Sequence, residues 1–152
     1  MYIWLLAFLW LGLDQFTKYL LPKFLNWYES VELIPGILRL TLVKNKGAAF
    51  GFLPGRFWLF VPVALAFIIF IIAKRETIKE IPLAKLGAPL ACAGALGNVI
   101  DRVLYGYVID FIDVPFFSIF NVADIGIVIG IILLAFGFYF SERKQKDGIN
   151  RD

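Results

Sequence analysis

Long apolar stretches, broken by a few polar residues, organise this chain. Residues 2–21 are apolar except around Asp14, Gln15 and Lys18, and residues 57–73, 86–100 and 125–140 carry no charge. With their flanks these runs predict four helices, at about 2–21, 57–75, 81–103 and 121–140. A helix rises ~1.5 Å per residue, so roughly 20 residues cross ~30 Å of hydrocarbon. The pattern therefore predicts an all-α membrane protein with four transmembrane helices in a single domain, 1–152. Between the first two runs, Leu38, Leu40 and Leu42 alternate with Arg39 and Thr41, the period of a half-buried strand. Pro35-Gly36 and Asn45-Lys46-Gly47 are turn signals. A small strand-rich interfacial platform is expected there, between helices 1 and 2. Residues 105–120 mix aromatics with Asp110, Asp113 and Pro115 and read as a second interfacial loop.

Composition sharpens the membrane reading. The chain is 61% hydrophobic with a mean hydropathy of +0.81, above the usual share for a soluble domain. Its net charge is +3. Basic residues gather at Lys74, Arg75 and Lys79 and again at Arg143, Lys144 and Lys146, which read as cytoplasmic flanks and not as a nucleic-acid surface. Weighting short loops and tails puts both termini in the cytoplasm. The first run contains Asp14 and Lys18 and lacks a basic leader and a small-residue cleavage site, so it reads as a retained span.

A charge inside a bilayer costs roughly 2.5–3.5 kcal/mol on insertion scales, so such residues usually mark a working site. Here they converge. Asp14 and Lys18 lie in the last turns of helix 1. Asn98, Asp101 and Arg102 close helix 3, Asp124 opens helix 4, and Asn45 and Asp110 lie in the connections at the same face. The chain has no histidine and one cysteine, Cys92, alone in an apolar run. Ser30, Ser118 and Ser141 have no His partner, and no metal-ligand spacing is visible. Hydrolytic chemistry would fall to paired carboxylates. No cofactor or metal is expected.

Each group also has a plain structural reading. Asp14 and Lys18 stand at i, i+4 and can form an intrahelical ion pair. Read alone, that pair implies that neutralising both members is milder than Asp14→Asn, which strands a buried lysine. Asn98, Asp101 and Arg102 share a helical face, where an Asp101–Arg102 pair can lock the helix end. Asn121 and Asp124 fit an N-cap and its third helical residue. The small run Gly47-Ala48-Ala49-Phe50-Gly51 can be a returning loop, or can let an extended substrate approach the backbone.

The blocks Asp14-Gln15-Phe16-Thr17-Lys18, Lys44-Asn45-Lys46-Gly47-Ala48-Ala49-Phe50-Gly51, Gly94-Ala95-Leu96-Gly97-Asn98-Val99-Ile100-Asp101-Arg102, Gly106-Tyr107-Val108-Ile109-Asp110-Phe111 and Phe120-Asn121-Val122-Ala123-Asp124 together resemble the bacterial lipoprotein signal peptidase (type II signal peptidase) family. They occur in the family's order across most of the chain. The resemblance implies an intramembrane aspartic endopeptidase of the inner membrane. It would cleave prolipoproteins before a diacylglyceryl-modified cysteine, with its active site at the outer face and globomycin-type inhibition. It matches Asp110 and Asp124 to the catalytic pair. Asn45, Asn98, Arg102 and Asn121 match polar residues lining the site, and Asp14, Lys18 and Asp101 its supporting charges. Lys46 stands where a smaller polar residue is expected. A competing reading is a small polytopic ion or proton carrier subunit, since intramembrane acids serve both uses. The acids here gather at one face and do not form a path across. The Gly-x-Gly-Asp motif of presenilin-type proteases is missing: Asp110 follows Tyr107-Val108-Ile109.

Overall fold

The computed structural model describes residues 2–47 and 59–149. Helix α1 (Tyr2–Leu20) runs into a 3-10 turn (Leu21–Lys23), then strands β1 (Ser30–Ile34) and β2 (Leu38–Asn45). Helices α2 (Phe60–Ala73), α3 (Arg75–Ile78) and α4 (Pro82–Tyr105) follow, then β3 (Val108–Asp113) and the long α5 (Val122–Ile149). The protein is mostly helical, with one small sheet.

Helix α4 is the axis of the bundle, packed against α1, α2 and α5. It starts at Pro82, where a proline costs no helical hydrogen bond. It stops at Gly106, whose φ of 76° lies in the left-handed region and whose N–H donates to the Arg102 carbonyl at 3.0 Å. Its seam with α5 is made of small residues. A Cβ on Gly87 would lie 2.5 Å from the Gly130 carbonyl oxygen, so the two backbones meet with nothing between them. Ile71, Ile78, Ala84, Ala88, Ala91 and Leu134 fill the core around that seam. The outside of the bundle is apolar too: Phe8, Val63 and Ile69 are exposed, as suits a surface facing lipid.

Two helices, Pro82–Tyr105 and Val122–Lys146, are long and apolar enough to cross a membrane. Phe60–Ala73 is a shorter apolar helix. Residues 57 and 58 of the expected second span, and Ala48-Ala49-Phe50-Gly51 of the small loop, lie outside the described residues.

The sheet corrects the expected platform. It has three antiparallel strands in the order β1-β2-β3, and the third comes from between α4 and α5, not from between the first two spans. Residues 108–113 are a strand, not a loop. The run Val108-Ile109-Asp110-Phe111-Ile112-Asp113 is buried along most of its length, so it lacks the polar alternation that marks a one-sided strand. One of its faces presents Ile109 and Phe111 to Leu42, Leu21, Leu25 and Trp27. The other carries Asp110 toward the bundle.

Candidate active site

Two clusters of buried polar groups lie where the sheet meets the ends of α1 and α4 and the start of α5. The first is built on Lys18. Its ammonium is 3.0 Å from Asp14 and 3.0 Å from Asp101, and it donates to Asn98 Oδ1 at 3.1 Å. All four side chains are buried. The carboxylates reach further: Asp14 Oδ1 accepts the Ala123 N–H at 2.8 Å, and Asp101 Oδ2 accepts the Ile109 N–H at 3.1 Å. One lysine thus ties α1 and α4 to the backbones of α5 and β3. Glycine makes room for this. A Cβ on Gly97 would stand 2.5 Å from Asp14 Oδ2.

The second cluster holds Asp110 and Asp124. Asp110 Oδ2 accepts from Asn45 Nδ2 at 2.8 Å, and its Oδ1 from Asn121 Nδ2 at 2.7 Å. The sheet register makes the first bond possible. Val43 pairs with Asp110 and Asn45 with Val108, so Asn45 and Asp110 are diagonal neighbours on one face. Asn45 is itself oriented by the Gly47 N–H, which donates to its Oδ1 at 3.0 Å. Asp124 sits in a reciprocal capping box. Its backbone N–H donates to Asn121 Oδ1 at 2.9 Å, and its Oδ2 accepts the Asn121 N–H at 3.2 Å. Its Oδ1 takes Asn98 Nδ2 at 2.8 Å. No lysine or arginine among the described residues is within ion-pair distance of either carboxylate. Burial first, and the neighbouring Asp124 charge second, push Asp110 up to about 7.

Asp124 also opens onto a cleft of about 410 Å³ lined by Phe60, Val63 and Phe67 of α2, Ala95 and Arg102 of α4, and Ile127 of α5. The cleft is apolar along its length and polar at one end. The Arg102 guanidinium lies 5.3 Å from the Phe60 ring centre and donates to the Asn98 carbonyl at 3.2 Å, while its buried Nε has no partner among the described residues.

Two aspartates held by amides, one of them opening onto an apolar cleft, are groups that can exchange protons with a bound water. The family model described as signal peptidase (SPase) II matches residues 6–140. The chain belongs to the signal peptidase II family. The lipoprotein signal peptidase of Brevibacillus brevis is 39% identical over 149 residues, covering 96% of this chain and 100% of that protein. That of Syntrophomonas wolfei is 49% identical over 123 residues, covering 80% and 82%. A bacterial membrane enzyme solved by the in meso method at 2.3 Å resolution is 35% identical, with a TM-score of 0.83 over 97% of this chain and 90% of its own. The chain is thus a peptidase-family protein of a bacterial membrane.

Most of the residues that the signal peptidase II resemblance points to are drawn together, but not all with the expected partners. Asp14 and Lys18 do pair along the helix, yet Lys18 is shared with Asp101. Asp101 is not paired with Arg102; the lysine takes it, and Arg102 turns to the cleft. Asn121 and Asp124 do cap α5, and the same bonds aim the Asp124 carboxylate. Spacing gives Gln15 no role. Its Nε2 donates to Asp14 at 3.0 Å and to the Gly97 carbonyl and Asp101 at 3.3 Å each. Trp10 donates its ring N–H to the Val122 carbonyl at 3.1 Å, pinning α1 to the start of α5. An uncharged amide beside Asp14 in an apolar run was the available signal for Gln15; Trp10 left none.

Proposed function

We propose that this protein is an intramembrane aspartic endopeptidase that removes signal peptides from prolipoproteins, cutting before a diacylglyceryl-modified cysteine. Asp110 and Asp124 form the catalytic pair. The observation that carries the reading is the Asp110 carboxyl: buried, held by two amides, without a cation in ion-pair range among the described residues, and raised to about 7. Such a group keeps a proton near neutral pH and can act as an acid. Asp124 is then the base. It takes a proton from water, and the resulting hydroxide attacks the scissile carbonyl while Asp110 donates its proton to the carbonyl oxygen. On collapse, Asp124 passes its proton to the leaving cysteine nitrogen, the C–N bond breaks, and Asp110 recovers a proton from the hydroxyl. Asn45, Asn98 and Asn121 hold the two carboxylates in place, and Asp14, Lys18 and Asp101 hold the helices that carry them. Gly47 fixes Asn45, and Arg102, with a donor to spare, binds substrate backbone in the cleft.

In this reading residues 1–152 form one domain with four spans, at about 2–21, 57–75, 81–103 and 121–140. Both termini are cytoplasmic and the site is at the outer face of the inner membrane. The two acyl chains on the substrate cysteine are enough for firm membrane partition, and set its depth against the pair. The test is cleavage of a diacylglyceryl-modified prolipoprotein peptide by the purified protein in detergent, with and without chelator and globomycin. The lipidated peptide is cut, the chelator has no effect, and globomycin blocks. Equal cleavage of the unlipidated peptide, or activity restored only by added metal, overturns the proposal.

A further inference from the structure

At the other end of the bundle, the turn made by α3 leaves a cavity of about 270 Å³ between α1, α2 and α4. Lys85 precedes Asn98 by 13 residues of the same helix, which separates this cavity from the catalytic end by about 20 Å. Its interior is apolar, with Trp4, Ile71 and Ala88 among its walls, and its rim carries Arg75, Lys79 and Lys85 against the single carboxylate of Glu76. Glu76 is taken up by Lys79 at 2.5 Å and Arg75 at 3.4 Å. Lys85 has no ion-pair partner among the described residues. The rim is therefore cationic, with one ammonium uncommitted, above an apolar slot.

We infer that this cavity binds one anionic glycerophospholipid, its phosphate between Lys85 and Arg75 and an acyl chain against Trp4 and Ala88. Cations at a helix-bundle rim over an apolar gap match an anionic headgroup joined to a hydrocarbon chain. The same charges disfavour the signal peptide, whose leading segment is basic. The inference needs the membrane setting and does not depend on the catalytic assignment of Asp110 and Asp124.

The test is native mass spectrometry of the full chain in detergent with added phosphatidylglycerol or phosphatidylcholine. One phosphatidylglycerol is retained in preference to phosphatidylcholine. Arg75→Gln with Lys85→Gln weakens its retention about thirtyfold, from roughly a kilocalorie per cation removed. Glu76→Gln, by freeing Arg75 and Lys79, strengthens it. These side chains are exposed, so the variants fold, and the opposite signs separate binding from damage. Three results would overturn the inference: equal retention of phosphatidylcholine, an equal loss in Arg143→Gln with Lys144→Gln on the neighbouring tail, or displacement of the lipid by soluble glycerol phosphate.

Discussion

Apart from Asp113, which pairs with Arg39 on the sheet, the buried or half-buried aspartates among the described residues are Asp14, Asp101, Asp110 and Asp124, and these are neutralised in two different ways. Asp14 and Asp101 share an ammonium at 3.0 Å each. Among the described residues, Asp110 and Asp124 have only amide donors, at 2.7–3.2 Å. A carboxylate next to a buried cation has its counter-charge at hand and works as a tie between helices. A carboxylate among neutral amides is fixed in position and left free to exchange a proton. In the proposed mechanism the lysine thus separates scaffold from chemistry among residues of the same type; Asn98 joins the two clusters, accepting from Lys18 and donating to Asp124.

The largest effect should come from the amide-held pair. Asp110→Asn and Asp124→Asn each keep shape but remove a proton carrier, and each should lower cleavage about a thousandfold or more. The unfolding temperature should not fall for Asp110→Asn, because its burial as an anion opposes folding. An aspartate whose folded value is raised makes the fold less stable as pH rises from its usual value through about 7. Near-normal turnover in either variant would return that residue to a structural role.

Next come the cation-held pair and its lysine. Lys18→Gln leaves Asp14 and Asp101 facing each other without a counter-charge and should cost about 3–5 kcal/mol of stability. Asp14→Asn leaves the Lys18–Asp101 pair whole and should be the mildest change. The double variant, with one stranded carboxylate, should fall between. This ordering differs from the one an isolated i, i+4 pair implies, where the double change is milder than Asp14→Asn. Thermal unfolding of the three variants in one detergent decides between them.

Asn98→Ala should blur the distinction by damaging both clusters at once. A loss of roughly ten- to a hundredfold in cleavage is expected, from one charge-assisted hydrogen bond to Asp124 and the reorientation it allows. A lower unfolding temperature should accompany it. Loss of stability alone, with the specific activity of the folded fraction intact, would separate Asn98 from the catalytic pair.

Much of this was legible in the sequence because the bilayer punishes stray charge: Asp14, Lys18, Asp101 and Asp124 stood out against apolar runs. The capping pattern of Asn121 and Asp124 was also readable, since it is local. What the sequence hid was long-range pairing. Lys18 and Asp101 are brought together only by helix packing, and the adjacent Asp101 and Arg102 suggested a pair that the helix turns apart. The strand bearing Asp110 was hidden by its own burial, because a strand covered on both faces shows no alternation. Gln15 was visible as a polar residue but not as the donor that bridges Asp14 and Asp101.

The pH dependence of cleavage tests the central claim most directly. With a saturating lipidated peptide, the rate should fall as pH rises through about 7, where the proton on Asp110 is lost. A rate that is flat or still rising well above that point would contradict an acid role for Asp110 and, with it, the division of labour between the amide-held and lysine-held aspartates.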